Sequence, residues 1–510
     1  MGSTEKKEKT KLSGIFADDK FMLSNKNRAF FYIALSALSF AFCLLFFYCT
    51  SPLSTYCGAD SGFFFSVGQG MTKGFLPYRD YFDMKGPYLF LIEYIGQLIS
   101  YGRWGIFLVE WLNLSIVYIL ISRIFENCGT KNLLAIILMF APVVWFSVPF
   151  MGGGNLTEEY SLIPLFLCLL LYMKYCKSGS EEHNVFYGAV YGFCFGFIAL
   201  IRVTNAALIC AIVLCVTVDL IKNGKWKNLF ANGGMFILGV AAAFAPMLVY
   251  YQSKGLLSEM LHDVFVFGFG YSSEKSFAQH IIETVKTPNR SLLAPVPVAA
   301  VLLDKNRDYK KVLFALAGSF GTILAISMGN NYFHYYTLII PMIVFTEVII
   351  VEDILKSDSR VSVKSIVLII LAVSMLAQWG RFSLIAHHAN LFGIQKDSYH
   401  FSQADDISSR IPEDELDSVY CYNILPVWYA YTDIVPYIKY CGWQNHYISL
   451  VPEIKEEIEE VFNTAPPCWL VLPEEKGKLP EFLEESLGND YTEVYSNKEY
   501  RLFRCDRAKN

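Results

Sequence analysis

Charge is what this sequence is short of. Of its 510 residues only 17% are Asp, Glu, Lys or Arg, where a soluble globular chain carries about a quarter. Hydrophobic residues make up 54% and aromatics 16%, and the mean hydropathy is +0.36. This balance excludes an ordinary cytosolic enzyme, and equally a disordered, collagenous or coiled-coil chain. No phosphate-binding loop, Gly-x-Ser-x-Gly elbow, His-Glu-x-x-His helix or dinucleotide fingerprint stands in a suitable context. There is no internal repeat, and nothing in the charge pattern points to nucleic acid. The 13 cysteines show no metal-ligand spacing. Nine lie at or before Cys215, mostly in apolar stretches where the thiol behaves as a small hydrophobe. The others, Cys421, Cys441, Cys468 and Cys505, are an even number able to pair if their part of the chain faces an oxidising compartment.

The charge that is present is unevenly spread. Residues 396–510 hold 22 acidic and 11 basic side chains, and the rest holds 25 and 31. A basic, apolar body with an acidic tail describes a polytopic membrane protein carrying a water-soluble C-terminal domain. Between Ala29 and Ala59 there is no charged residue, more than the ~20 apolar residues that cross a hydrocarbon core. A polar, Lys-rich segment precedes this run and no small-residue cleavage site follows it, so 29–50 reads as a retained first span rather than a signal peptide. Further apolar segments cover 104–122, 132–149, 158–176, 185–201, 204–221, 233–251, 291–303, 311–328, 332–351 and 365–384, which makes eleven spans.

Lys and Arg should gather in alternate short loops on the cytoplasmic side. With the N-terminus (Lys6, Lys7, Lys9, Lys11) inside, the inside loops carry Arg123 and Lys131; Lys174 and Lys177; Lys222, Lys225 and Lys227; Lys305, Arg307, Lys310 and Lys311; and Lys356, Arg360 and Lys364. Parity then requires 291–303 to cross despite Pro295 and Pro297, and requires the apolar stretch 88–100 to be a re-entrant or surface-lying helix. The loops 51–103, 150–158, 252–290 and 329–332, with the tail, face outward. In the tail, 418–423, 468–472, 491–495 and 500–504 read as strands and 451–462 and 479–487 as helices. The expected organisation is a cytoplasmic segment 1–28, a membrane body 29–390 with its first outer loop at 51–103, and a small soluble extracytoplasmic α/β domain at 391–510.

The first outer loop is the most informative stretch. It runs Gly58-Ala59-Asp60, then Gly74-Phe75-Leu76-Pro77-Tyr78-Arg79-Asp80-Tyr81-Phe82-Asp83-Met84-Lys85-Gly86-Pro87. Asp60 stands just beyond the first span, where a partly desolvated carboxylate can be tuned for general-base work; alone, it reads equally as a helix cap. The whole loop resembles the first extracytoplasmic loop of the GT-C superfamily of membrane glycosyltransferases. Members similar to the aminoarabinose transferases and protein O-mannosyltransferases show an acidic residue soon after the first span, a Gly-x-x-Pro-Tyr turn, and a Lys-Pro-Pro or Lys-Gly-Pro step into a short helix. Those features match Asp60, Gly74 with Pro77 and Tyr78, and Lys85 with Gly86 and Pro87. The departures are Gly86, where many relatives have Pro, and Asp83, two positions before Lys85 rather than one.

Other positions join this list. Met151-Gly152-Gly153-Gly154-Asn155-Leu156-Thr157-Glu158-Glu159 ends in an acidic pair at the start of a span. Helix capping and function are both open to it; the resemblance puts an acidic residue here against the donor and acceptor cleft, with Glu158 preferred to Glu159. Asn155-Leu156-Thr157 is a glycosylation sequon, meaningful only in a secretory eukaryotic context. Arg202 interrupts an apolar run at the outward end of two consecutive spans, where an arginine either snorkels or binds a phosphate. In Asn330-Asn331-Tyr332-Phe333-His334-Tyr335-Tyr336 the tyrosines read as an interface belt, and His334 as a donor to a phosphate oxygen or a satisfied interface histidine. His387 and His388 point in different directions on a helix and are read as non-functional.

The reading that follows is an integral-membrane glycosyltransferase of a bacterial plasma membrane, using a polyprenyl-phosphate sugar donor on the extracytoplasmic face with inversion. The resemblance implies Asp60 as catalytic base. It implies Lys85, Arg202 and His334 as binders of the donor phosphate, and Glu158 with Asp83 as groups that orient the acceptor or a divalent cation. A divalent cation is left open, since one or two carboxylates do not define a site. The acceptor is a lipid, polymer or protein hydroxyl. The alternative is a transporter or flippase for a lipid-linked sugar; such proteins often show repeats and broken helices at the midplane, whereas here the polar residues crowd one face.

Overall fold

A computed structural model describes residues 23–506 apart from 24, 55–56, 131, 269–275, 292, 303–307, 329–330, 357–372, 374–375, 381–397, 476 and 478. The long uncharged runs are helical, as they must be where the backbone has no partner but itself. The body is built from α1 (Asn25–Phe46), α2 (Ala59–Thr72), α3 (Pro87–Ile99), α4 (Arg103–Asn127), α5 (Leu133–Phe150), α6 (Leu162–Ser178), α7 (Val185–Arg202), α8 (Ala207–Lys222), α9 (Trp226–Ser253), α10 (Tyr309–Ser327) and α11 (Ile340–Lys356). Among the described residues eight helical stretches are long and apolar enough to span a membrane. One of them, Val185–Lys222, has 38 residues. Unbroken it would be about 57 Å long, nearly twice a ~30 Å hydrocarbon core. It is not unbroken: Leu200 (φ −90°, ψ 16°) and Arg202 (φ −160°, ψ 110°) leave the helical region, and a 3-10 turn, Val203–Ala206, follows before α8. The stretch is therefore two helices, placed where two spans are read from the sequence, with Arg202 at the break.

One expectation meets a different outcome. The segment 291–303 is not one continuous span in its described part: it holds a helix over Pro288–Ser291, a turn, and a seven-residue helix over Val296–Leu302. Pro295 and Pro297 remove amide donors, which prevents a single helix from running through. The span read at 365–384 and the pair His387 and His388 lie largely or wholly outside the described residues. The stretch at 88–100 is a thirteen-residue helix, α3, too short to cross. It buries Leu89, Phe90 and Glu93 and exposes Ile95, Leu98 and Ile99, as a helix lying along the body's apolar surface would.

The tightest helix pair is α7 against α9, through small residues. A Cβ at Gly192 would fall 1.9 Å from the Phe236 carbonyl oxygen, and one at Gly239 would fall 2.1 Å from that of Ala189. Such contacts let backbones pack where water supplies no hydrophobic drive.

The loops sort into two sets. At one end, the basic ones interlock: Lys310 pairs with Asp219 (2.9 Å), Arg28 with Glu126 (3.0 Å), Lys225 with Glu181 (3.1 Å), and Lys311 with Glu352. Another set of loops is joined by Cys49 N–H to the Gly153 carbonyl (3.0 Å), Gly86 N–H to that of Ile201 (2.9 Å), and the Thr337 hydroxyl to that of Phe150 (2.8 Å).

The C-terminal sheet has four strands in the order β1 (Val419–Cys421), β2 (Trp469–Pro473), β4 (Tyr500–Cys505), β3 (Tyr491–Ser496). β1 and β2 run parallel with Tyr420 opposite Leu470, while β4 is antiparallel to both β2 and β3. Helices Pro452–Thr464 and Glu481–Asn489 bury Ile454, Ile458, Phe462, Phe482 and Leu483. All four strands and both helices fall where the alternation and apolar spacing of the tail place them. None of the four tail cysteines is joined in a disulfide. The sheet domain sits on the first loop: Phe82 N–H donates to the Lys439 carbonyl (2.9 Å), and its ring packs against Phe267, Tyr440 and Tyr447 at 4.9–5.4 Å.

Candidate functional site

Asp60 lies in the first turn of α2, half-buried, where the helix dipole favours a carboxylate. The loop that follows is clamped. Gly74 takes φ 93° and Tyr78, almost fully buried, takes φ 71°. The Tyr78 hydroxyl donates to the Lys85 carbonyl (2.8 Å), and the Asp80 carboxylate accepts from Leu76 N–H (2.7 Å). The Gly-x-x-Pro-Tyr turn therefore shapes the path by which the chain reaches Lys85. Gly86 then presses on the α7 break: a Cβ there would stand 2.1 Å from the Leu200 carbonyl oxygen. This approach, with the Gly86 to Ile201 hydrogen bond, is what brings Lys85 beside Arg202. Pro87 at the first position of α3 starts the next helix without wasting a donor.

Lys85 Nζ is 3.3 Å from the buried Asp83 carboxylate. Burial pushes Asp83 up from the ordinary aspartate value, with Asp60 adding to the rise and Lys85 opposing it. Burial opposes the charge on Lys85, but Asp83 and Asp60 outweigh it and lift the ammonium above the ordinary lysine value. On the next wall Arg202 is ion-paired with Glu158 and lies over the Tyr335 ring, 4.0 Å from its centroid. His334 Nε2 is 4.0 Å from the other Glu158 oxygen, and its ring stacks on Tyr332 and meets the edge of Tyr335.

All six positions singled out from the sequence, Asp60, Asp83, Lys85, Glu158, Arg202 and His334, line one cavity of about 580 Å³. Glu159 does not join them. It turns inward, where its carboxylate and that of Glu110 both accept from the Asn155 N–H. Asn155 itself is fully buried, its amide donating to Ser61 (3.0 Å) and accepting from Tyr160 (2.7 Å). A sequon held this way is closed to glycosylation. Among the described residues no three His, Cys, Asp or Glu side chains are grouped to hold a metal ion.

The sequence did not mark several residues of this site. Tyr335 reads from the sequence as part of an interface belt, yet it is buried and carries the Arg202 guanidinium on its face. Trp443, His446 and Tyr447 reach the cavity from the sheet domain, and no local pattern in the acidic tail signals that. Asp263, on a π-helical turn over His262–Phe267 that also carries Val264 of the cavity wall, is buried and does not line the cavity; burial pushes it up to about 6.

No protein-family model matches the chain, and no curated protein matches it either. Among solved structures it is similar to ArnT from Cupriavidus metallidurans bound to undecaprenyl phosphate, with 11% identity and a TM-score of 0.57 over 94% of this chain and 98% of that one. The apo state of the same protein gives 10% identity and a TM-score of 0.52 over the same shares. The chain has an ArnT-like fold. At this identity the likeness lies in the fold alone, so what the residues of this cavity do is argued from their own chemistry.

Proposed function

We propose that the protein is a membrane glycosyltransferase moving a sugar from a polyprenyl-phosphate donor to an acceptor hydroxyl, on the extracytoplasmic face of a bacterial plasma membrane. The observation that carries this reading is the convergence of one half-buried carboxylate, Asp60, with the cations Lys85 and Arg202 in a single cavity. The likeness to a structure holding undecaprenyl phosphate supports a lipid-linked donor. A second cleft of about 800 Å³, walled by residues such as Ile92, Leu112, Phe193 and Leu238, is almost wholly apolar and has the chemistry to take an isoprenoid chain.

In this mechanism the Asp60 carboxylate removes the proton from the acceptor hydroxyl as its oxygen attacks the anomeric carbon from the face opposite the phosphate. The bond from that carbon to the phosphate oxygen breaks, the electron pair stays on the phosphate, and the configuration inverts. Lys85 and Arg202, with His334 beside them, stabilise the charge growing on the leaving phosphate. Glu158 holds Arg202 and His334 in place, and Asp83 keeps Lys85 charged. Nucleotide sugars are absent on the outer face, which is why a lipid carrier suits this site. The gathering of these groups in one cavity favours an enzyme over a transporter that alternates about the midplane.

The test is to reconstitute the protein in lipid with labelled polyprenyl-phosphate hexoses and pentoses and to follow release of free polyprenyl phosphate. Asp60→Asn should lower release by about 10²–10⁴-fold, the usual weight of a general base, with folding intact. Movement of the donor across the bilayer without carrier release, unchanged in Asp60→Asn, refutes the transferase and supports a flippase.

A further inference from the structure

The six chargeable positions all come from the helical body, but one wall of the same cavity comes from the sheet domain, and its central residue is strained. Trp443 holds φ 51°, ψ 31°, the left-handed region that a bulky side chain rarely adopts. Its surroundings impose this conformation. Gly442 packs so closely that a Cβ would stand 2.3 Å from Pro426 Cγ. Gln444, fully buried, donates from Nε2 to the Cys421 and Tyr440 carbonyls (2.8 Å each) and accepts from Asn423 N–H (2.9 Å). A backbone forced into a costly region by its neighbours on both sides is characteristic of a residue aimed for use.

The use follows from what the side chain offers. The Trp443 ring is half-buried on the cavity wall, its centroid 6.4 Å from that of Phe63. No hydrogen bond from its indole N–H to another group is seen among the described residues. An apolar aromatic face with an adjacent unspent donor is complementary to a sugar ring, which presents a C–H face rimmed by hydroxyls. Phe63 lies one helical turn beyond Asp60 on α2, so Trp443 approaches the base from the sheet domain, while Lys85 and Arg202 serve the phosphate from the helical body.

We propose that Trp443 is the platform of an acceptor subsite, on which a pyranose ring of the acceptor stacks so that its hydroxyl is presented to Asp60. This rests on the glycosyl-transfer reading. It makes the acceptor a glycan or glycolipid and gives the sheet domain the task of selecting it.

The experiment is saturation-transfer difference NMR on the full chain in nanodiscs. The probes are methyl glycosides of glucose, galactose, mannose and N-acetylglucosamine at tens of millimolar, each with and without undecaprenyl phosphate. Undecaprenyl phosphate binding is measured in parallel on wild type, Trp443→Ala and Trp443→Phe. At least one pyranoside should receive saturation on its C–H face in wild type, and undecaprenyl phosphate should not displace it. Trp443→Ala should weaken that binding about tenfold, and Trp443→Phe, which keeps the ring and loses the N–H, should fall between. Undecaprenyl phosphate should bind all three proteins alike, which also shows them folded. Equal saturation in wild type and Trp443→Ala overturns the proposal. So does the absence of any pyranoside signal in a wild type that binds undecaprenyl phosphate, an outcome that leaves the transferase standing. A Trp443-dependent pyranoside signal without undecaprenyl phosphate binding overturns the lipid-phosphate donor instead.

Discussion

The pair formed by Glu158 and Arg202 allows a quantitative test of how the cavity is held. Glu158 is only 1% exposed and Arg202 17%, so the two substitutions are not equivalent. Arg202→Gln strands a fully buried carboxylate, one of whose oxygens already lacks a hydrogen bond; breaking a buried pair from that side costs about 3–5 kcal/mol. Glu158→Gln strands a guanidinium that still lies on the Tyr335 ring and opens onto the cavity. The cation-π contact retains ~1–2 kcal/mol, so the loss should be nearer ~2 kcal/mol. In the double variant two neutral amides face each other and neither charge is stranded. The double-mutant cycle should therefore show a coupling of about 2–3 kcal/mol, with the double variant no less stable than Arg202→Gln alone. Unfolding of the reconstituted proteins by reversible detergent titration measures all four corners. Additive losses, with coupling below ~0.5 kcal/mol, refute the claim that this pair is one structural unit. A second readout separates structure from function: Glu158→Gln removes a negative charge beside Arg202, so it should bind undecaprenyl phosphate more tightly while turning over more slowly. Unchanged binding in a folded variant refutes the assignment of Arg202 to the phosphate.

Two further substitutions probe the frame around the site. Burial lifts Asp263 to about 6, with His262 and Lys439 pulling it down and Asp83 pushing it up. Because its folded value exceeds the unfolded value of about 4, the folded state holds this proton more tightly. Its contribution to stability is therefore fully present below pH ~4, is lost as pH rises to ~6, and stays lost above it, a loss of at most ~3 kcal/mol. Asp263→Asn should gain in melting temperature over wild type across that window; a difference between the two that is flat from pH 4 to 7 refutes this. Gly86→Ala drives a methyl into the Leu200 carbonyl, at a packing cost of about 1–3 kcal/mol. By displacing Lys85 it should also slow carrier release by ~10²-fold, and normal release in a folded variant refutes the role given to this contact.

What could be read in advance follows from how far each signal reaches. The tail strands declared themselves because alternation and turn residues are local; β3 and β4 needed only the short connection at 496–498. The approach of the first loop to Arg202 was half legible. The Lys85-Gly86-Pro87 step marked a turn into a helix, but that Gly86 meets Leu200 is a contact between residues more than a hundred positions apart. Trp443 was invisible for the same reason, since Cys441-Gly442-Trp443-Gln444 carries no pattern until Pro426 and the end of β1 fold against it. Glu158 and Glu159 show the limit most sharply. Adjacent in sequence and alike in chemistry, they diverge because one meets Arg202 in the cavity and the other meets the Asn155 amide behind it.

The cavity residues also share a backbone property that explains their company. Asp60 opens a helix, Lys85 stands two residues before one, Glu158 sits in a one-turn helix over Thr157–Tyr160, Arg202 stands at a kink, and His334 belongs to a 3-10 turn over Phe333–Ile339. In an apolar medium each interruption frees amide and carbonyl groups that cost several kcal/mol if left alone, so breaks persist only where protein or a polar cavity satisfies them. Here the interruptions serve one another: Cys49 bonds Gly153, Gly86 bonds Ile201, and Thr337 bonds Phe150. Interruptions paired in this way gather in one region, and the charged side chains at them are then gathered without any helix having to carry a charge to the bilayer centre. The polar site and the broken helices are thus one solution to one constraint, and a substitution that heals a break should disperse the charges with it.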